Sequence, residues 1–267
     1  MALASQNGQQ LVGVKFKLGD FAGKGLLRIG GLAALLAGLL FRRNLGAELS
    51  LLKEFGLITT GPAAPPATGS DWFALLQKDP LIGLTWLNAF DVVNAVLVGL
   101  MFLALFVALR HVNRSVVGLA VGLGLLGIVI YCVANQALPL WSLSHQYATA
   151  ATETSRALLL AEGQTRLALN QFNSPGRYLS LLLMAMAGLV ISISMLRSKV
   201  FNRITAYTGL TTALLDLTYC LAVVFLPADT HEVLGLCFIP AAGLGLMIWH
   251  ILIGQRLYRQ GRLVKKS

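Results

Sequence analysis

Two aspartates mark where this chain could do chemistry. Asp91 lies in the apolar stretch Leu84–Leu109, with Asn88 three residues before it and Asn94 three residues after. On a helix that spacing puts all three side chains on one face. Asp216 lies in a second apolar stretch, in line with Thr208, Thr212 and Tyr219 at helical intervals. An ionisable group inside an apolar span is costly, so it faces the protein interior or a watery cavity. The two faces sit at similar depths, which predicts one outward-facing cavity where the carboxylates take a cation, a proton or an amine-bearing ligand. A close pair there would share a proton. The candidate ligand-binding set is Asn88, Asp91, Asn94, Thr212, Asp216 and Tyr219, with Tyr131, Asn135 and Gln136 as further lining. The competing reading is structural: each aspartate is hydrogen-bonded by Asn, Thr or Tyr and cross-links helices, at about 0.6 kcal/mol per bond.

Other chemistry finds little support. Paired membrane aspartates suggest proteolysis by an activated water, but the contexts AFDVV and LLDLT lack a glycine-rich approach to the second acid. The histidines His111, His145, His231 and His250 form no HxxxH or HxH pattern of the kind zinc requires. His145 with His231, and Glu232 beside it, is a conceivable pair on one side of the membrane. Cys132, Cys220 and Cys237 lie in apolar runs with no CxxC, as packing residues do. There is no GxSxG elbow, phosphate loop or dinucleotide fingerprint. No catalytic residue is assigned, no metal set is found, and the sequence names neither a cofactor nor an oligomeric state.

The elements that must position these residues are membrane spans. Hydrophobic residues make up 56% of the 267 and charged ones 12%, and the mean hydropathy is +0.73, where a soluble domain carries about 25% charged residues. Six apolar stretches are long enough to cross a bilayer: 26–41, 84–109, 116–134, 178–196, 204–226 and 233–254. Residues 1–25 read as a polar cytoplasmic arm without a signal peptide's apolar core, and 255–267 as a basic tail. Between the first two spans, Gly56–Ser70 is rich in Pro, Gly and Ala and reads as a loop, followed by a short interfacial helix at DWFALLQKD. Thr149–Phe172 reads as an amphipathic helix on the bundle or lipid surface. Gly118 and Gly122 make a GxxxG pair suited to close helix approach, and Pro240 should kink the sixth span.

The net charge of +10 fits anchoring against lipid better than nucleic acid, because no aromatic-basic interleaving or binding motif accompanies it. Under the six-span arrangement fourteen Lys and Arg fall on the side of the termini and seven on the other, while the acids divide the opposite way. The positive-inside rule then places both termini in the cytoplasm of a multi-pass plasma-membrane protein. The tail residues Arg256, Arg259, Arg262, Lys265 and Lys266 are suited to anionic lipid, but the same charges already satisfy the positive-inside rule, which favours topology fixing alone.

Three stretches, LNAFDVVNAVLVGLMFLALFVAL with Arg110, SLSHQYATAATE, and ISMLRSKVFNRITAYTGL, resemble a family of bacterial integral membrane proteins, the domain of unknown function numbered four-three-eight-six. That resemblance implies a helical bundle and carries no reaction, ligand or catalytic residue. The expected fold is an all-α, polytopic membrane helix bundle with six transmembrane helices. The expected function is binding or transport of a small ligand or cation at the polar cavity. The alternatives are a structural or accessory protein without a ligand, and a membrane-embedded lipid hydrolase. Each three-span half carries an aspartate in its second span, in opposite directions, as an inverted repeat would.

Overall fold

The computed structural model describes residues 23–40, 65–171 and 174–263, without the side chains of Ala228, His231, Glu232 and Leu263. The arm up to residue 22, most of the Pro/Ala-rich loop, and the last four tail residues lie outside the described residues, as do the His231 and Glu232 side chains. Among the described residues the chain is all-helical, and six of its helices are long and apolar enough to cross a membrane. They are α1 (Gly23–Leu40), α4 (Phe90–Leu109), α5 (Arg114–Ala134), α8 (Pro175–Arg197), α9 (Arg203–Phe225) and α10 (Ala228–Leu263). The remaining helices are α2 (Gly69–Lys78), α3 (Pro80–Trp86), α6 (Ala137–Thr149) and α7 (Glu153–Leu169).

Side-chain caps start many of these helices where the sequence offers a short polar residue. Thr68 accepts from Asp71 N–H at α2, Asp79 from Ile82 N–H at α3, and Asn113 from Val116 N–H at α5. Thr152 does the same for α7 and Asn202 for α9. Each such cap satisfies a donor left over at a helix start and contributes about 1 kcal/mol.

The six long helices close into a ring. Neighbours run α4, α5, α8, α9, α10 in chain order, and α1 completes the ring between α4 and α10. The closure depends on two adjacent glycines. Gly30 faces Ala104 and Leu100 of α4, and Gly31 faces the backbone of Tyr258 and Gly254 in α10. A Cβ at Gly31 would lie 2.7 Å from the Tyr258 nitrogen. Without a hydrophobic drive between helices in lipid, such close backbone approach is what holds them. The expected Gly118/Gly122 pair is not the contact: Gly122 faces open space, while Gly127 meets α8, where Ser180 Oγ donates to its carbonyl at 2.8 Å.

Two separate apolar cores result. One fills the ring, with Met101, Phe102, Leu105, Ile191, Met195, Trp249, Ile253 and Leu257 among its buried members. The other joins α2, α3, α6 and α7 through Trp72, Phe73, Leu76, Leu87, Leu140 and Leu143, and forms a helical cap on one end of the ring. The sequence anticipated parts of this cap as isolated surface helices. It did not anticipate α6, because Pro139 falls in the first turn of that helix, where proline is tolerated.

The stretch expected as one span, 84–109, is divided. Asn88 adopts a left-handed backbone (φ 60°), a conformation Asn enters more readily than most residues. It ends α3 and turns the chain into α4, so residues 84–89 belong to the cap end. At the other end α10 continues to Leu263, past the expected limit at Gly254. Its 36 residues span about 54 Å, well beyond a hydrocarbon core of about 30 Å.

Candidate functional site

The polar residues gather where the cap meets the ring. Asp91 sits in the first turn of α4, where the positive end of the helix dipole favours a carboxylate. Tyr131 stands in the last turn of α5 and donates its hydroxyl hydrogen to Asp91 Oδ2 at 3.0 Å. The same hydroxyl accepts from Arg177 Nη2 at 3.0 Å. One tyrosine oxygen thus joins a carboxylate to a guanidinium.

Arg177 is only 3% exposed, and a buried charge of this kind survives only with good partners. At the start of α8 the helix dipole opposes a cation, so the compensation comes from elsewhere. Its Nη1 donates to the Asn170 backbone oxygen at 3.0 Å and to Asn170 Oδ1 at 3.1 Å. Asn170 caps the C-terminus of α7, the negative end of that helix. The guanidinium also lies over the Tyr131 ring, 5.0 Å from its centroid, a cation–π geometry.

The network extends along the seam. Asn135, which ends α5, donates to the Asn88 carbonyl at 3.0 Å and accepts from Ala137 N–H at 3.0 Å. Asn170 Nδ2 donates to the Leu87 carbonyl at 3.2 Å, and its Oδ1 accepts from Gln136 N–H at 3.1 Å. Gln136 Oε1 accepts from Arg166 at 3.0 Å, and Arg166 pairs with Glu162 at 2.7 Å. Cap and ring, each with its own apolar core, meet through these hydrogen bonds.

The sequence-derived residues fall into two groups. Asn88 and Asp91 belong to the seam, Asn88 through its backbone carbonyl because it lies outside α4 rather than on its face. Asn94 lies one turn further along α4, is 6% exposed, and its Oδ1 has no hydrogen-bond partner among the described residues. Thr212 and Tyr219 instead face α10: Thr212 packs on Gly245, and the Tyr219 ring reaches Gly235. Asp216 lies between them on that face, half-buried. Asp91 bonds to Tyr131 of α5, whereas the residues flanking Asp216 on its stripe meet α10. Toward the start of α9 the same stripe opens into a cleft of about 440 Å³ lined by Tyr207, Thr208, Thr211 and Thr212.

The seam residue that the sequence concealed is Arg177. It reads as a loop charge, two residues after the Ser174-Pro175 break, yet it is the most buried cation in the seam. The available signal was its place on the side of the membrane poor in Lys and Arg, next to a proline that starts a helix.

A family model described as "Domain of unknown function (DUF4386)" matches residues 77–254. The chain belongs to that family. The matched region of this DUF4386 protein contains every seam residue named above and both aspartates. Neither the curated proteins nor the solved structures hold a match to it.

Proposed function

We propose that this integral membrane protein is non-enzymatic and binds a small polar ligand at the seam. In this reading Asp91 receives an ammonium group and Arg177 an acidic one. The observation that carries it is the Asp91–Tyr131–Arg177 link at the junction of two separately packed cores. Opposite charges held through one neutral hydroxyl can each be taken over by a ligand bearing both signs. The presence of Arg177 disfavours a bare cation, since like charges repel. Asn94 Oδ1 adds an unused acceptor one turn below. Binding is favoured over passage, because the ring beyond Asn94 is filled by Met101, Leu105, Ile191, Met195 and Trp249. Thr212, Asp216 and Tyr219 form a second polar stripe, toward α10, and contribute to this site only if the helices rearrange.

Native mass spectrometry of the purified chain beside Asp91→Asn tests the reading, because asparagine keeps the shape and an acceptor for Tyr131 while removing the charge. A small-molecule adduct present in the wild type and absent from the folded variant is expected. Equal adducts, or none in either, would remove Asp91 from any site. A second reading rests on the mutual satisfaction of Asp91, Tyr131, Asn170 and Arg177: the seam is a lock and the protein an accessory scaffold. An empty wild type together with a destabilised variant would select it.

We further propose that the cap lies outside the cytoplasm and both termini inside it, supported by the excess of Lys and Arg on the terminal side. Arg256, Arg259 and Arg262 are exposed on one face of α10, a surface suited to anionic lipid at about 1 kcal/mol per basic residue. In a background without native cysteines, a cysteine at Lys78 should react with an impermeant maleimide on intact cells. One at Arg259 should react only after lysis; the reverse pattern would invert the topology.

A further inference from the structure

We propose that a glycerophospholipid binds in the cleft between α5 and α8 on the cap side, with its phosphodiester against the N-terminus of α8. The cleft has a volume of about 410 Å³. Its wall is apolar, formed by Val129, Ile130, Val133 and Pro175, with Ser174 and Gln136 at its head. Val129 and Val133 are 58% and 78% exposed, so the wall faces the bilayer and suits an acyl chain.

The head end carries the chemistry. Ser174 is the N-cap of α8, but its side chain makes no capping bond. It is 7% exposed, and its Oγ has no hydrogen-bond partner among the described residues. A buried hydroxyl rarely stays unsatisfied, because the loss of its hydration must be compensated. Beside it, the first N–H groups of α8 have no acceptor within the helix, and the helix dipole makes this end attractive to an anion. Gln136 accepts from Arg166, which brings a partly exposed guanidinium to the edge of the cleft. A phosphodiester supplies the acceptors for Ser174 Oγ and the Gly176 N–H and the charge for Arg166, while its acyl chains follow the valine wall. Gln136 and Arg166 also belong to the seam network, but neither they nor Ser174 and Gly176 take part in the Asp91–Tyr131–Arg177 link on which the ligand-binding reading rests.

The test is native mass spectrometry of the full chain titrated with phosphatidylglycerol, with diacylglycerol of the same acyl chains, and with inorganic phosphate. The phospholipid should bind as one saturable adduct, more than about a hundredfold tighter than the diacylglycerol, which lacks the partner for Ser174 Oγ, the Gly176 N–H and Arg166 together. Ser174→Ala, which removes one of these three, should weaken it by about tenfold. Val133→Trp, which fills the cleft from an exposed position, should abolish the adduct while leaving the fold intact. Diacylglycerol binding as tightly as the phospholipid, an undiminished adduct in Val133→Trp, or displacement of the lipid by inorganic phosphate would each overturn the proposal.

Discussion

Replacing Arg177 with glutamine should lower stability by about 3–5 kcal/mol, the range for breaking a buried ionic partnership. Glutamine cannot reach Asn170 and the Tyr131 hydroxyl together, and it removes the guanidinium that the Tyr131 hydroxyl links to Asp91. Cap and ring are joined there by hydrogen bonds while each keeps its own apolar core. The loss should therefore appear first as loosening of the cap. Unfolding in mixed micelles, followed by limited proteolysis near residues 150–152 between α6 and α7, measures both effects. Lysine at the same position keeps the charge but not the fork that spans Asn170 and the Tyr131 hydroxyl, and should restore only part of the stability. A change below about 1 kcal/mol would place Arg177 among ordinary surface charges.

A comparable effect is expected far from the seam, at Gly31. Valine there drives a Cβ toward the Tyr258 nitrogen and the Gly254 oxygen, at 2.7 and 3.1 Å. These are backbone atoms, which cannot swing aside as a side chain end does. Helix α1 must move away from α10, opening the ring and weakening the Arg28 Nε bond to the Gly261 carbonyl, now 2.7 Å. Overpacking of this kind costs about 3 kcal/mol. Gly122→Val should be near neutral by the same measurement, since nothing lies within 4 Å of its added carbon. Equal costs at the two glycines would contradict the ring closure described here.

The spans were legible because hydropathy over twenty residues outweighs every local signal. Asn88 shows where that legibility ends. Hydropathy runs straight through it, and only the left-handed turn reveals that α3 belongs to the cap and α4 to the ring. The stripe Thr212, Asp216, Tyr219 was readable as a face from its spacing, but spacing does not say which neighbour the face meets. Glycines at 235 and 245 of α10 meet Tyr219 and Thr212. Arg177 was hidden for a related reason: charge counting treats every basic residue at a span end as solvated. Its burial follows from where α7 ends, a tertiary fact. The same holds for Gly122 and Gly127, where the motif pointed to one glycine and the packing uses another.

If the Tyr131 hydroxyl joins Asp91 to Arg177 as one unit, the energies of the two charges are coupled. A double-mutant cycle of Asp91→Asn and Arg177→Gln, by unfolding in mixed micelles, tests this directly. A coupling of about 1 kcal/mol or more, falling toward zero when the cycle is repeated on Tyr131→Phe, is the predicted result. Additive losses, within about 0.5 kcal/mol and unchanged by Tyr131→Phe, would show that the two charges stand independently and that the seam is not a single site.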